Sequence, residues 1–248
     1  ETAINRFGGD DEMVQLTGEL LNQSNSSLIT QVRNNPASAA DFAETASGLT
    51  HFRWQDGDLY EAQFNLSSGQ LIFETVYQLR NWQSWHIIEG PDPGHIPTNV
   101  TGIYGFESGT PATSVDGTAY GLGVTGGTVT MDFGMRSGTI AMNVDFNNKD
   151  FTVAGTLSGD FTDSRLFHDD TVIATYIGGG PPPVVLMFPT EISGFFANAN
   201  SDSSLPPLAA GLTYVIDYTG MPFHGAAGFG LRASGPSLGS PAMMMGYP

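Results

Sequence analysis

The chain has 248 residues, of which 25 are Asp or Glu and 8 are Lys or Arg, so its formal net charge is −17 at pH 7. This surplus of carboxylates argues against nucleic acid and anionic membrane surfaces as partners, because both are bound through clustered Lys and Arg. Cysteine is absent, which excludes disulfides, zinc–thiolate sites and thiol nucleophiles.

The remaining composition favours an all-β protein. Charged residues make up only 13%, and there are 32 glycines. Long surface helices need more Glu, Lys and Arg, whereas short strands joined by tight turns need glycine. No run approaches the roughly 18 consecutive apolar residues of a membrane-spanning helix, so we expect no membrane-spanning segment.

Residues 1–47 differ from the rest and predict an N-terminal arm. Acidic residues precede Met13–Leu21, which favours a short helix. Asn35-Pro36 is typical of a helix N-cap and first position, opening a helix through Ala39–Ala43. Alternatively the arm is irregular, and the segment with Leu28, Ile29 and Val32 is extended and pairs with another strand.

Strand patterns begin at Leu49. His51–Trp54 precedes an Asp56-Gly57 turn, and Leu59–Leu66 precedes a Ser67–Gly69 turn into the next run. Further along, Val100–Phe106 is a predicted strand.

The stretch 128–161 alternates apolar and polar residues throughout. Ile140, Met142, Val144 and Phe146 form one apolar face, and Asn147-Asn148 separates them from the next run. This pattern predicts a meander of antiparallel strands with one buried face.

The last third of the chain continues in strands. Residues 178–183 (GGGPPP) indicate an exposed loop, and Leu212–Tyr218 with Phe223–Leu231 predicts a closing hairpin. We therefore predict a mainly β fold in which an antiparallel meander closes into a roughly eight-stranded barrel. The barrel domain is placed at 48–232, after the short, partly helical arm, and a Gly/Pro/Met tail is placed at 233–248.

The order of segments resembles a known family. The segments that carry the resemblance are Leu49–Trp54, Trp85–Pro93, Gly102–Phe106, Met131–Phe133, Ile192–Phe196 and Ala226–Phe229. Together they resemble the C-terminal β-barrel module of bacterial FecR-like proteins, which is similar to the barrels of transferrin-binding-protein-B-like surface lipoproteins.

This resemblance implies a non-enzymatic module that is secreted or exposed on the cell surface, associated with the outer membrane, its signal peptide already removed. The chain lacks a lipidation cysteine and a sigma-regulator-like domain, so lipid anchoring and iron-signal transduction are not carried over.

No motif names a reaction. Gly121–Gly126 matches a dinucleotide fingerprint by letters, but its surroundings are β and Gly-rich rather than strand followed by helix. Asp56-Gly57-Asp58 and Asp145–Asp150 could supply oxygen ligands to a cation, yet both are more typical of turns. The densest acidic loop with a histidine is His168–Asp170. We expect no enzyme activity, no cofactor and no bound metal.

Two groups of residues are candidates for an interaction surface. Trp54, Trp82 and Trp85 belong to an aromatic-rich region, which is either barrel core or a surface for protein or sugar contact. Met243, Met244 and Met245 stand in a tail otherwise rich in Gly, Ser and Pro, where adaptable apolar side chains favour docking on another subunit.

These observations lead to a hypothesis of a non-catalytic, extracellular structural module for self-assembly or surface interaction. Both terminal arms would contact neighbouring protomers in a homo-oligomer or filament, with a surface protein or glycan as a further partner. The first alternative is a barrel that binds a small ligand or an iron or metal chelate at its mouth. The second is a carbohydrate-active enzyme, which needs a carboxylate pair in a cleft.

Overall fold

The computed structural model describes the backbone of residues 4–5, 14–16, 28–35, 39–65, 70–91, 93, 96–114, 119–160, 166–178 and 184–237. Side chains are described from residue 43 onward, apart from those of residues 54–65 and 71–85 and of a few strand ends. Every helix or strand assigned in these ranges is a β-strand, which confirms the mainly β class. Within them, no helix is long and apolar enough to cross a membrane.

The strands follow one another along the chain with the bounds β1 (Ile4–Asn5), β2 (Val14–Leu16), β3 (Leu28–Asn35), β4 (Ala39–Glu44), β5 (Thr50–Asn65), β6 (Leu71–Glu89), β7 (Val100–Gly109), β8 (Thr113–Ser114), β9 (Gly123–Asp132), β10 (Ser137–Phe146), β11 (Lys149–Asp160), β12 (Leu166–Gly178), β13 (Val184–Ala197), β14 (Ala209–Ile216) and β15 (Phe223–Pro236).

Eight strands form a closed antiparallel barrel, as the sequence predicts. Their order around the barrel is β7, β9, β10, β11, β12, β13, β14 and β15. Closure depends on β15, which pairs with β14 along one edge and with β7 along the other. The short β8 pairs with the start of β15.

The β10–β11 hairpin shows why this part of the sequence folds as predicted. Asn147 and Asn148 have φ values of 52° and 58° and connect the paired residues Phe146 and Lys149. Two successive residues with positive φ are typical of the two-residue turns whose twist matches that of the flanking strands. Asn tolerates this conformation better than most residues with a side chain.

Aromatic side chains fill the barrel interior. Phe146 stacks on Phe223 with 4.0 Å between ring centroids, and Phe133 meets Phe196 edge-on at 4.8 Å. Inward side chains fill the interior of an eight-stranded barrel of this kind. The largest fully buried side chains of the barrel are Tyr104, Tyr214, Phe133, Phe146, Phe151, Phe167, Phe196, Phe223 and Phe229.

The other strands form a second sheet centred on β5. One edge of β5 pairs with β3 and β4, and the other edge pairs with β6. The predicted alternative of an extended segment at Leu28–Val32 is confirmed, because β3 pairs with residues 58–65 of β5.

The predicted helices of the arm are wrong wherever the structure describes them. Ala39–Glu44 is strand β4, paired with residues 50–54 of β5, and Val14–Leu16 is strand β2. Alanine has a high helix propensity, but propensity is weak beside the ladder that β5 provides. The rest of the predicted helix at Met13–Leu21 lies outside the described residues.

The predicted turn at Asp56-Gly57 is also wrong. β5 runs through it as one strand, and its register against β6 shifts between Gln55 and Gly57. Glycine inside a strand marks a bulge as readily as a turn.

The barrel begins and ends later than the sequence analysis places it. Its first strand starts at Val100, whereas residues 50–89 belong to the second sheet. At the other end, β15 continues to Pro236, so residues 233–236 are strand rather than tail.

Tyr214 offers a test of the core. Its hydroxyl is fully buried and has no hydrogen-bond partner in the described part of the chain, and burial raises its pKa. A buried hydroxyl without a partner costs about 1–3 kcal/mol. We therefore expect Tyr214→Phe to raise the free energy of unfolding by about 1 kcal/mol in urea titration.

Tyr214→Ala is the control at the same position, because it removes the ring as well as the hydroxyl and should cost about 3–5 kcal/mol. A Tyr214→Phe variant less stable than the wild type would mean that the hydroxyl makes a stabilising contact.

Candidate interaction surface

The most extended feature outside the barrel is the hairpin formed by β5 and β6. These strands have 16 and 19 residues, so β6 spans roughly 60 Å at about 3.4 Å per residue. The hairpin base, with the turn between β4 and β5, docks on the outer face of the barrel. We call this contact, between residues 45–53 and 86–90 on one side and β7, β13, β14 and β15 on the other, the junction.

The centre of the junction is a small apolar cluster. Leu49 and Ile88 are fully buried against barrel residues that are mostly small: Phe195, Ala197, Ala209 and Ala226. A Cβ at Gly228 would lie 2.7 Å from Cγ2 of Thr45 and 3.3 Å from Cδ1 of Leu49. Alanine and glycine on the outer face of the barrel therefore let the hairpin base approach the barrel backbone.

Glu107 fixes the turn between β4 and β5. The Ser47 amide and hydroxyl donate to Oε2 of Glu107 at 2.9 and 2.7 Å, and Arg232 lies 3.5 Å from Oε1. Asn198 donates to the Ser47 carbonyl, and Gly48 adopts a φ of 79° that permits the turn.

Histidines line the polar side of the junction. His86 Nδ1 lies 2.6 Å from Oγ1 of Thr110, and Nε2 lies 2.6 Å from Oγ1 of Thr113. The His224 ring stands edge-on to His86 at 4.6 Å, and Arg53 pairs with His86 across β5 and β6. A neutral imidazole suits this setting, because one nitrogen donates and the other accepts.

Burial favours the uncharged form of these histidines. It lowers the pKa of His86 well below its usual value, with smaller contributions from His224 and Arg53. Burial also lowers the pKa of His224 to about 4, and it lowers the pKa of His51, whose Nε2 lies 2.8 Å from Oγ of Ser108. Protonation would place like charges side by side in the junction.

The structure brings together two of the predicted interaction residues. Trp54 and Trp85 are direct cross-strand partners in β5 and β6, next to the Arg53–His86 pair, and Trp82 lies beside the register shift. The side chains of these tryptophans are outside the described residues, as are Met243, Met244 and Met245 entirely. Whether the tryptophans are core or surface thus stays a prediction.

Sequence reasoning missed the contact between His86 and His224. No local spacing signals the true contact, because β6 and β15 meet only through tertiary docking. A histidine within an otherwise apolar strand end, as in Trp85-His86-Ile87-Ile88, is the available hint of a buried polar contact.

β6 leaves one long edge unpaired in the described part of the chain, where its only ladder is with β5. An unpaired edge presents backbone donors and acceptors that another strand can use.

One of the acidic candidates for cation binding, Asp169, has a structural role. Asp169 accepts a hydrogen bond from the Ile192 amide at 2.8 Å, which ties β12 to β13 at a register shift. The side chains of Asp56, Asp58 and Asp170 are not described. No group of three or more potential metal-ligating side chains occurs among the described residues.

A scan against protein-family models and a search of curated proteins found no match to this chain. The resemblance to the FecR-like barrel module therefore stays a prediction.

Gly228 tests the close approach at the junction. A valine there would meet Thr45 and Leu49, and we expect Gly228→Val to lower the free energy of unfolding by about 1–3 kcal/mol, measured by urea titration. Gly235→Val on the same strand is the control, because a Cβ at Gly235 meets nothing within 4 Å. Equal stabilities of the two variants would rule out tight packing at Gly228.

The junction histidines predict acid sensitivity. An unfolded histidine has a pKa of about 6.5, so as the pH falls below that value the unfolded chain binds protons that the folded chain cannot. The free energy of unfolding should be highest above about pH 7. It should fall between pH 7 and pH 4, by up to about 1.4 kcal/mol per pH unit for each histidine. Urea unfolding at a series of pH values measures this slope.

His224→Phe separates the histidine contribution from that of titrating carboxylates. It keeps a ring beside His86 and removes one titrating group, so the stability loss between pH 7 and pH 5 should be smaller than in the wild type. An unchanged pH profile would contradict the assignment.

Proposed function

We propose that this chain is a non-catalytic β-barrel module for self-assembly or surface interaction, in which the barrel is the scaffold and the hairpin is the contact element. Its expected place is the cell exterior, in keeping with the resemblance described above. The acidic composition suits a soluble protein whose copies meet only through specific contacts.

The observation that carries this proposal is the filled barrel interior. Phe146, Phe151 and Phe223 pack against one another, with ring centroids 4.0 Å apart for Phe146–Phe223 and 5.1 Å apart for Phe151–Phe223. An interior occupied by its own aromatic rings works against the alternative of a ligand-binding barrel, which needs a pocket of several hundred Å³. We therefore place the contacts with partners on the outer surfaces of the barrel and on the hairpin.

The hairpin supplies a contact of a known physical kind. β3 and β4 already add to one edge of β5 within the chain, so segments of the N-terminal arm do bind by strand addition. The unpaired edge of β6 offers a second chain the same backbone hydrogen bonds.

The oligomeric state of the full chain tests the proposal. In an antiparallel ladder, successive residues point their N–H groups alternately towards the partner strand and away from it. Thr75 and Val76 are neighbours in the regular part of β6, paired with Glu61 and Tyr60. Proline at one of them removes a donor from the open edge, and proline at the other breaks the ladder with β5.

We expect the wild type to sediment as an oligomer in sedimentation velocity. Of Thr75→Pro and Val76→Pro, the variant that removes a donor from the open edge should stay fully folded but sediment as a monomer. The other proline variant should unfold at lower temperature, and Thr75→Ala and Val76→Ala should behave as the wild type. If both proline variants assemble like the wild type, the β6 edge is not the contact between protomers. A monomeric wild type would exclude self-assembly altogether.

A further inference from the structure

The outer face of β12 and β13 carries exposed apolar side chains in adjacent positions. Ile177 pairs with Val185, Thr175 with Met187, and Ile173 with Pro189. Ile177 is 63% exposed, Met187 62%, Val185 56% and Ile173 39%. We call these six residues the β12–β13 patch. A cluster of this kind on a soluble protein marks a contact site more often than chance.

The patch is uncharged on a molecule with a net charge of −17. Its neighbours Thr152 and Ala154 on β11 are also neutral, since they pair with Thr175 and Ile173. Continuing this register places the exposed Asp150 beside Ile177, at the edge of the patch. Acidic groups stand at the rim: Glu191 follows on β13, and the Asp217 amide donates to the Pro189 carbonyl at 3.0 Å.

We infer that the β12–β13 patch is a contact between two copies of this chain. The inference rests on the self-assembly part of the proposed function and adds a surface distinct from the hairpin. Copies with the same large negative charge repel, and an uncharged apolar face minimises that repulsion at the point of contact.

The patch also suits a two-fold arrangement. A contact related by two-fold symmetry joins one surface to itself, so an apolar patch is its own complement and needs no second surface. Rows of alternating side chains on paired strands can pack face to face, as sheets do in β-sandwiches. The patch spans only two strands, so we expect a weaker and more reversible dimer than one with a standard interface of roughly 800 Å² per partner.

The salt dependence of binding distinguishes a second copy of this chain from a basic protein as the partner at the β12–β13 patch. Acidic rims on two copies repel, and added salt screens them, so self-association strengthens as NaCl rises from about 0.05 to about 0.5 M. A basic protein held against the same acidic rim would be released by that change.

The decisive experiment compares full-length variants by sedimentation equilibrium in about 0.5 M NaCl. Ile177→Ser combined with Met187→Ser removes two exposed apolar side chains, and Met135→Ser removes one of similar exposure, 56%, in the turn between β9 and β10. We expect the double variant to raise the dimer dissociation constant at least about tenfold and Met135→Ser to leave it unchanged. Circular dichroism melts confirm folding, and the single variants replace the double one if it is unstable.

An oligomerising wild type whose dissociation constant is unaffected by the double variant would overturn this inference while leaving self-assembly intact. Weaker association at high salt would also overturn it. A wild type that stays monomeric at every concentration would overturn both.

Discussion

The pairing of β15 on both of its edges is the constraint on which the rest of the structure depends. β15 closes the barrel between β14 and β7, and it must be small on both faces to do so. This applies at two glycine positions, not to the whole strand, whose inward face also carries Phe223 and Phe229. A Cβ at Gly225 on the inner face would lie 2.5 Å from the Tyr214 hydroxyl oxygen, and on the outer face Gly228 admits Thr45 and Leu49. One strand therefore sets both the packing of the core and the docking of the hairpin.

Closure also decides what the barrel interior contains. The interior of an eight-stranded barrel is either filled by its own inward side chains or holds one small ligand, and here buried aromatic rings occupy it. The hairpin adds what a closed barrel lacks, a sheet with one edge that no described strand pairs with. The junction holds this hairpin on the barrel. The cluster around Leu49 and Ile88 buries apolar surface there, and the hydrogen bonds of Ser47 with Glu107 and of His86 with Thr110 fix the orientation of the hairpin base.

Charge is distributed unevenly between the junction and the chain as a whole. Neutral histidines at the junction avoid a cluster of positive charges beside Arg53, whereas the chain as a whole carries a formal net charge of −17. The two candidate contacts respond to this in different ways. Strand addition at β6 depends on backbone hydrogen bonds, which do not require a charged side chain, and the β12–β13 patch depends on apolar burial.

The sequence alone determined the all-β class, the β10–β11 hairpin with its Asn147-Asn148 turn, and closure into about eight strands, because alternation and turn residues are local signals. It failed at Ala39–Glu44 and at Asp56-Gly57, where pairing with a distant strand overrode local preference. The role of the tryptophans stays a prediction, and no spacing in the sequence signals the contact between His86 and His224. Only tertiary structure decided that residues 50–89 form a second sheet and that His86 meets His224, because both depend on contacts between residues far apart in the chain, which no local pattern signals.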